Sequence, residues 1–108
     1  MKSFKKKVAV ITGAGSGMGR YLAILLARDG ADVCVCDVNE KTLNETVIML
    51  RKYNVSVSSH LLDVSDKESI EALPQKVIDQ HGKVDLVFNN AGVGSGSYFQ
   101  DMNKDNWD

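Results

Sequence analysis

The sequence holds one proline, two cysteines, two histidines and only 6% aromatic residues, and its 13 basic and 14 acidic residues nearly cancel. Each scarcity removes a class of protein. One proline with nine glycines in 108 residues is far from a collagen-like or low-complexity chain. Near-neutral charge supplies no field that would draw the chain to nucleic acid or a membrane surface, so neither is expected as a partner. The charge is uneven: Lys2, Lys5, Lys6 and Lys7 leave nine bases against 14 acids in the rest, and that run reads as a solvated N-terminus. Cys34 and Cys36 fall on the same face of a strand, too cramped to bond each other and without CxxC spacing. They read as buried thiols, which suits a reducing compartment, and a cytoplasmic location is expected. His60 and His81 stand without a ligand pattern, so no metal site is expected. No apolar run approaches the ~18 residues of a membrane-spanning helix, and the run Val8 to Ile11 is cut short by glycines before it can serve as an export signal.

What remains is 44% hydrophobic and 25% charged, a globular composition sized for one domain covering residues 1–108. Its patterns alternate regularly. Residues 7–12 are a short apolar run ending in glycines, a buried strand. Met18, Leu22, Leu25 and Leu26 recur at helical spacing, and Gly30 follows where a helix stops. A second strand is expected over 31–36, then a helix capped by Asn39 with Leu43, Val47 and Leu50 inward, and a third strand over 55–62. Ser65 and Glu68 form a capping box for a third helix that turns Ile70, Leu73, Val77 and Ile78 inward and ends at Gly82, with a kink or late start expected from Pro74. Residues 84–88 make a fourth strand, 89–97 a loop, and Asn103 a further helix cap. Four strands alternating with three helices predict a doubly wound parallel α/β sheet; if the second and third strands step to one side of the first and the fourth to the other, its order is 3-2-1-4 and its direction reverses between the first and fourth strands. Ligands bind at such a reversal, and the loops after those two strands border it.

The first of these loops, Thr12-Gly-Ala-Gly-Ser-Gly-Met-Gly19, joins strand to helix. Its glycines allow a tight turn with amide groups close to a phosphate, and the helix adds its positive end. Strict GxGxxG fails, GxxxGxG holds at Gly13, Gly17 and Gly19, and the triphosphate loop GxxxxGK[ST] is absent, which removes kinases and ATPases. Asp37 closes the second strand 18 residues after Gly19, where a carboxylate can accept both hydroxyls of an adenosine ribose. A 2'-phosphate at ~4 Å from it would cost about 4 kcal/mol at a dielectric of ~20, so NAD is favoured over NADP. Arg20 and Lys41, the nearest bases, read more simply as helix-surface charges. Asp63 and Val64 follow the third strand at the same edge, suited to an adenine, although Asp63 could equally cap the third helix. Asn89-Asn-Ala-Gly92 suits tethering strand ends or touching a ribose.

Together these motifs closely resemble the N-terminal half of the short-chain dehydrogenase/reductase family, over residues 7–107. The resemblance implies a partial Rossmann fold binding NAD(H) or NADP(H) for hydride transfer between nicotinamide and an alcohol or carbonyl carbon. Carried over, Gly13, Ser16, Gly17, Met18 and Gly19 would line the pyrophosphate, Asp37 the ribose, Asp63 and Val64 the adenine, and Asn90, Ala91 and Gly92 the length of the cofactor.

The family's Tyr-x-x-x-Lys pair has no match: Leu25, Val57 and Met102 stand four residues after Tyr21, Tyr53 and Tyr98. A phenol of ordinary pKa ~10 needs a nearby cation to work near neutrality, so no catalytic residue is assigned, and a chain stopping before the catalytic segment is expected to bind without turnover. Ser95, Ser97 and Tyr98 read as loop residues rather than substrate contacts. A small alcohol or carbonyl substrate belongs to a complete protein only. With no further strand, the apolar fourth strand would be an exposed edge, and self-association through it is expected. Two alternatives stay open: a non-catalytic NAD-binding or pairing module, and an S-adenosylmethionine-dependent methyltransferase, since residues 13–17 also fit GxGxG. Thr12, where methyltransferases bring an acid, counts against the second.

Overall fold

The computed structural model describes residues 4–90. The expectations for Ala91, Gly92, the loop to residue 97, Ser95, Ser97, Tyr98 and an Asn103 cap lie outside the described residues. In chain order the elements are β1 (Val8–Thr12), α1 (Gly17–Arg28), β2 (Asp32–Asp37), α2 (Glu40–Leu50), β3 (Val57–Leu61), α3 (Lys67–His81) and β4 (Leu86–Asn89). The strands pair in parallel, as the alternation of strands and helices predicts, and their order is the expected β3-β2-β1-β4. In β1, Val10 lies opposite Cys34 of β2 and Val87 of β4.

Every residue of β1 is buried, which explains its uninterrupted apolar run: a parallel strand covered on both faces has no wet side. Ala9, Ile11, Val33 and Val35 face α1 and α2, where they meet Ala23, Leu26, Leu43 and Leu50. Val8, Val10, Cys34 and Cys36 face α3 and pack with Ile70, Leu73 and Val77. Burying each Val or Ile of this centre stabilises the fold by about 1.5–3 kcal/mol before chain entropy is counted. Both thiols are buried and unbridged, and contact with Cys34 together with burial holds the Cys36 thiol well above its ordinary value.

Four expectations need correction. The inward stripe of α1 consists of Gly19, Ala23, Leu26 and Ala27, while Met18 is 68% exposed. Small residues four apart let the helix lie close to the sheet, and a pattern read through large apolar side chains passes over them. Ile78 is likewise exposed rather than inward. The cap of α3 is Asp66, whose carboxylate accepts from Glu68 N (3.1 Å) and Ser69 Oγ (2.8 Å). Ser65 is unavailable as a cap because its hydroxyl and its N–H both go to Asp63 Oδ1, at 2.7 and 2.9 Å. Finally, the late start allowed for at Pro74 does not occur: α3 starts at Lys67 and runs through the proline as one element. Its packed residues Ile70, Leu73 and Val77 flank the proline, so tertiary burial outweighs the lost hydrogen bond.

Two contacts tie the ends of these elements. Ser58 Oγ and His81 Nε2 lie 2.7 Å apart, joining β3 to the last turn of α3. Asp85 accepts from Val8 N at 2.9 Å and from Lys83 Nζ at 3.0 Å, which fixes the entry of β4 beside β1.

Candidate functional site

Because β2 and β4 flank β1 and their helices cross on opposite faces, the tips of β1, β2 and β4 open at one end around the glycine loop. Thr12 ends β1 fully buried and links it to β4. Its Oγ1 donates to Asn89 Oδ1 at 2.9 Å and accepts from Asn90 N–H at 3.0 Å. Asn90 Nδ2 reaches Gly13 O at 3.3 Å. The paired asparagines thus do the tethering that the sequence allowed for.

The helix that follows differs from the others in how it begins. Asn39 caps α2 by accepting from Thr42 N, Asp66 caps α3, and each of those helices carries a glutamate in its first turn. In α1, Ser16 stands at the cap position with no side-chain cap bond, and the first turn holds no acid. A helix leaves its first amides without intrahelical partners, so Gly17, Met18 and Gly19 present a positive end that neither a side-chain cap nor a first-turn acid neutralises. At Gly17, with φ +56°, a Cβ would meet nothing within 4 Å, so open space lies above the turn. At Gly19 a Cβ would lie 2.1 Å from the Gly13 carbonyl oxygen. Gly17 leaves room for a ligand, whereas Gly19 lets helix and loop touch.

Two earlier loop amides, those of Ala14 and Gly15, are committed to the protein. Ala14 N donates to Cys36 O at 2.9 Å, and Gly15 N donates to Asp37 Oδ2 at 2.8 Å. Asp37 Oδ1 accepts from Asn39 N at 3.1 Å. The carboxylate is therefore held at the tip of β2 directly beside the loop, with lone pairs to spare for further donors. Arg20 is not the plain surface charge its helical position suggests. Its side chain is 21% exposed, with Nε on Thr46 Oγ1 (2.8 Å) and Nη2 on the carbonyls of Gly15 and Thr42 and on Glu45 Oε1 (3.3 Å).

Asp63 stands one residue beyond Leu62, whose N–H donates to Asp37 O at 2.9 Å, so the tips of β2 and β3 are adjacent. The hydroxyl and amide of Ser65 hold the exposed Asp63 carboxyl below its ordinary value, and Asp63 stays ionised at neutral pH. Val64 packs against the α3 side of the core. An apolar cavity of about 440 Å³ lies elsewhere, between α1 and β4, lined by Phe4, Leu22, Leu25 and Phe88 among others, and none of the expected site residues borders it. Among the described residues, no group of three His, Cys, Asp or Glu could hold a metal, and no helix is long and apolar enough to cross a membrane.

A sheet of order 3-2-1-4, with an uncapped helix start beside an acid-tipped second strand, defines a partial Rossmann-type α/β fold. The family model for short chain dehydrogenases matches residues 7–108, and the chain belongs to that family. It is 37% identical over 105 residues to a probable oxidoreductase EphD of Mycobacterium tuberculosis, an alignment covering 97% of this chain and 18% of that protein. It is 32% identical over 102 residues to a 3-oxoacyl-(acyl-carrier-protein) reductase FabG of Thermotoga maritima, covering 94% of this chain and 42% of the relative. A short chain dehydrogenase/reductase from Burkholderia phymatum in complex with NAD superposes with a TM-score of 0.80 at 46% identity, over 87% of this chain and 34% of that one. An NAD+-bound xylitol dehydrogenase superposes at 0.81 with 34% identity, over 85% and 35%. The chain therefore spans less than half the length of each of these proteins.

Proposed function

We propose that this chain is the dinucleotide-binding half of an NAD-dependent short-chain dehydrogenase/reductase, in which the whole protein moves a hydride between nicotinamide and an alcohol or carbonyl carbon. One observation carries the reading: among the three described helices, α1 alone begins without a side-chain cap or a first-turn acid, and it does so beside Asp37. In this reading the backbone at Gly13, Ser16, Gly17 and Met18 receives the diphosphate, with Gly19 allowing the close approach. Asp37 accepts the ribose diol, Asp63 and Val64 meet the adenine, and Asn90, Ala91 and Gly92 run along the cofactor. The similar proteins crystallised with NAD support a nicotinamide dinucleotide. Preference for NAD over NADP rests on Asp37 and on Arg20, whose Nε and Nη2 are engaged beneath the loop rather than offered to a 2'-phosphate. Even half of the ~4 kcal/mol repulsion expected at ~4 Å is a factor of ~30 in affinity.

These 108 residues contain no Tyr-x-x-x-Lys pair, so binding without hydride transfer is the expected behaviour of the chain by itself. Two buried, unbridged thiols support a cytoplasmic location, and the half-buried β4 at the rim of the described sheet supports self-association. The test is calorimetric titration of the folded chain with NADH, NADPH and S-adenosylmethionine, repeated for Asp37→Ala. NADH should bind tightest, and the variant should lose most of the preference over NADPH. Absence of NADH binding, tighter binding of S-adenosylmethionine, or an unchanged preference in the variant would reject the assignment.

A further inference from the structure

Two adjacent peptide planes of the glycine loop are held from below, one by Arg20 directly and one by Thr46, on which Arg20 also rests. Arg20 Nη2 donates to the Gly15 carbonyl, while Arg20 Nε donates to Thr46 Oγ1 at 2.8 Å. The buried Thr46 hydroxyl in turn donates to the Ala14 carbonyl at 2.8 Å. A trans peptide points its N–H opposite its C=O. Fixing the Ala14 carbonyl toward α2 therefore aims the Gly15 N–H away from it, onto Asp37 Oδ2 at 2.8 Å. Fixing the Gly15 carbonyl likewise turns the Ser16 N–H outward at the start of α1. The guanidinium also reaches the Thr42 carbonyl at 3.0 Å, so the first turns of α1 and α2 share this anchor. Little slack remains at the turn, since a Cβ on Gly15 would fall 2.6 Å from Thr42 Oγ1 and 2.7 Å from Asp37 Oδ2.

We infer that Arg20 is a positioning residue for cofactor selection: through Gly15 and Thr46 it fixes the Asp37 carboxylate and the Ser16 amide, although it is directed into the protein and not at the ligand. The inference rests on the dinucleotide reading above, with Asp37 as the group that discriminates at the ribose. Without Arg20, Thr46 alone steers the Gly15 N–H and Asn39 N is the remaining fixed donor to Asp37, so the carboxylate is held less firmly against a 2'-phosphate and discrimination weakens.

The test compares NADH and NADPH dissociation constants for the wild-type chain, Arg20→Gln, Arg20→Lys and the rim control Glu45→Gln. Arg20→Gln should weaken NADH binding about tenfold and shrink the NADPH-to-NADH ratio of dissociation constants at least threefold. Arg20→Lys should shift the ratio less in the same direction, and Glu45→Gln should leave it unchanged. A merely structural role lowers the folded fraction and weakens both cofactors equally, so the ratio separates the two. An unchanged ratio in Arg20→Gln overturns the inference. Should that variant fail to fold, an unchanged ratio in Arg20→Lys together with Thr46→Val does the same. Failure of wild-type NADH binding would instead strike the underlying reading.

Discussion

Replacing Gly19 by alanine should unfold this protein far more readily than replacing Gly17, although both lie in the same motif. A methyl on Gly19 would sit 2.1 Å from the Gly13 carbonyl oxygen, 2.7 Å from its carbon and 2.8 Å from Asn90 Nδ2. An unstrained contact begins near 3.4 Å, so more than an ångström must be found. The obstacle is backbone at the end of β1, held by the buried Thr12 and its bonds to Asn89 and Asn90, so α1 has to retreat instead. Alanine gains about 1 kcal/mol of helix propensity. Overpacking removes about 3 kcal/mol, at the upper end for a backbone obstacle, and loss of the Asn90 bond to Gly13 about 1 more. The net loss is about 3 kcal/mol, which for a domain of this size lowers Tm by on the order of 10–20 °C. At Gly17 a methyl meets nothing within 4 Å, and the cost is the left-handed φ of +56° alone, about 1–2 kcal/mol. Binding should rank the other way among molecules that remain folded, because the Gly17 methyl projects into the space assigned to the diphosphate. Urea melts and NADH titrations of both variants supply the four numbers. A Gly19→Ala protein as stable as wild type, or less damaged than Gly17→Ala, would refute the close approach of helix and loop.

Three further outcomes follow from particular contacts. Asp66→Ala should cost about 1 kcal/mol in a urea melt, as loss of a helix cap does, while Ser65→Ala should cost less; equal losses would restore Ser65 as the cap. Burial alone would raise the Asp85 carboxyl, but the Val8 amide and the Lys83 ammonium together hold it below its ordinary 3.8. A lowered folded-state value means that its stabilisation is present above pH ~4 and fades as pH falls through the depressed value. Asp85→Asn should therefore lose stability at pH 7 and converge on wild type near pH 2, whereas a pH-independent difference would remove the ionised contact from the account. Sedimentation over a range of concentrations should reveal association through β4, and a stable monomer throughout would contradict it.

The sheet was legible because a parallel strand covered on both faces writes itself as an unbroken apolar run, as at Val8 to Ile11, and glycine or a capping residue marks each crossover. The positions of Asp37 and Asn90 followed from the same punctuation, since both sit where a strand ends. What escaped were features set by competition between neighbours. Ser65 and Asp66 are both good caps, and only the capture of Ser65 by Asp63 decides between them. Met18 fits a helical stripe that is in fact drawn by Gly19, Ala23 and Ala27, whose smallness hides them from a search for large apolar side chains. Arg20 was missed because a charge on a helix ordinarily faces water. The faint signal was the pair Thr42 and Thr46, one turn apart on α2, which supply the acceptors that a partly buried guanidinium needs.

The same competition explains why so little of the loop is left for a ligand. A glycine-rich turn without anchors would be free to rearrange, and the entropy of ordering it would be charged against binding. Here Cys36, Asp37, Thr46 and Arg20 occupy both polar groups of Ala14 and of Gly15, so those two residues belong to the scaffold. Only from Ser16 onward does the chain present amides that no cap satisfies, and there Gly17 opens the space above them. The division falls between adjacent residues. An anion arriving at α1 meets donors already aimed by a frame it does not touch, which is what a site needs to bind charge without first paying to organise itself. That frame runs from β2 through α2, elements that contribute Asp37 and hold Arg20, and it ties the carboxylate at the tip of β2 to the open amides of α1 within a single turn of chain.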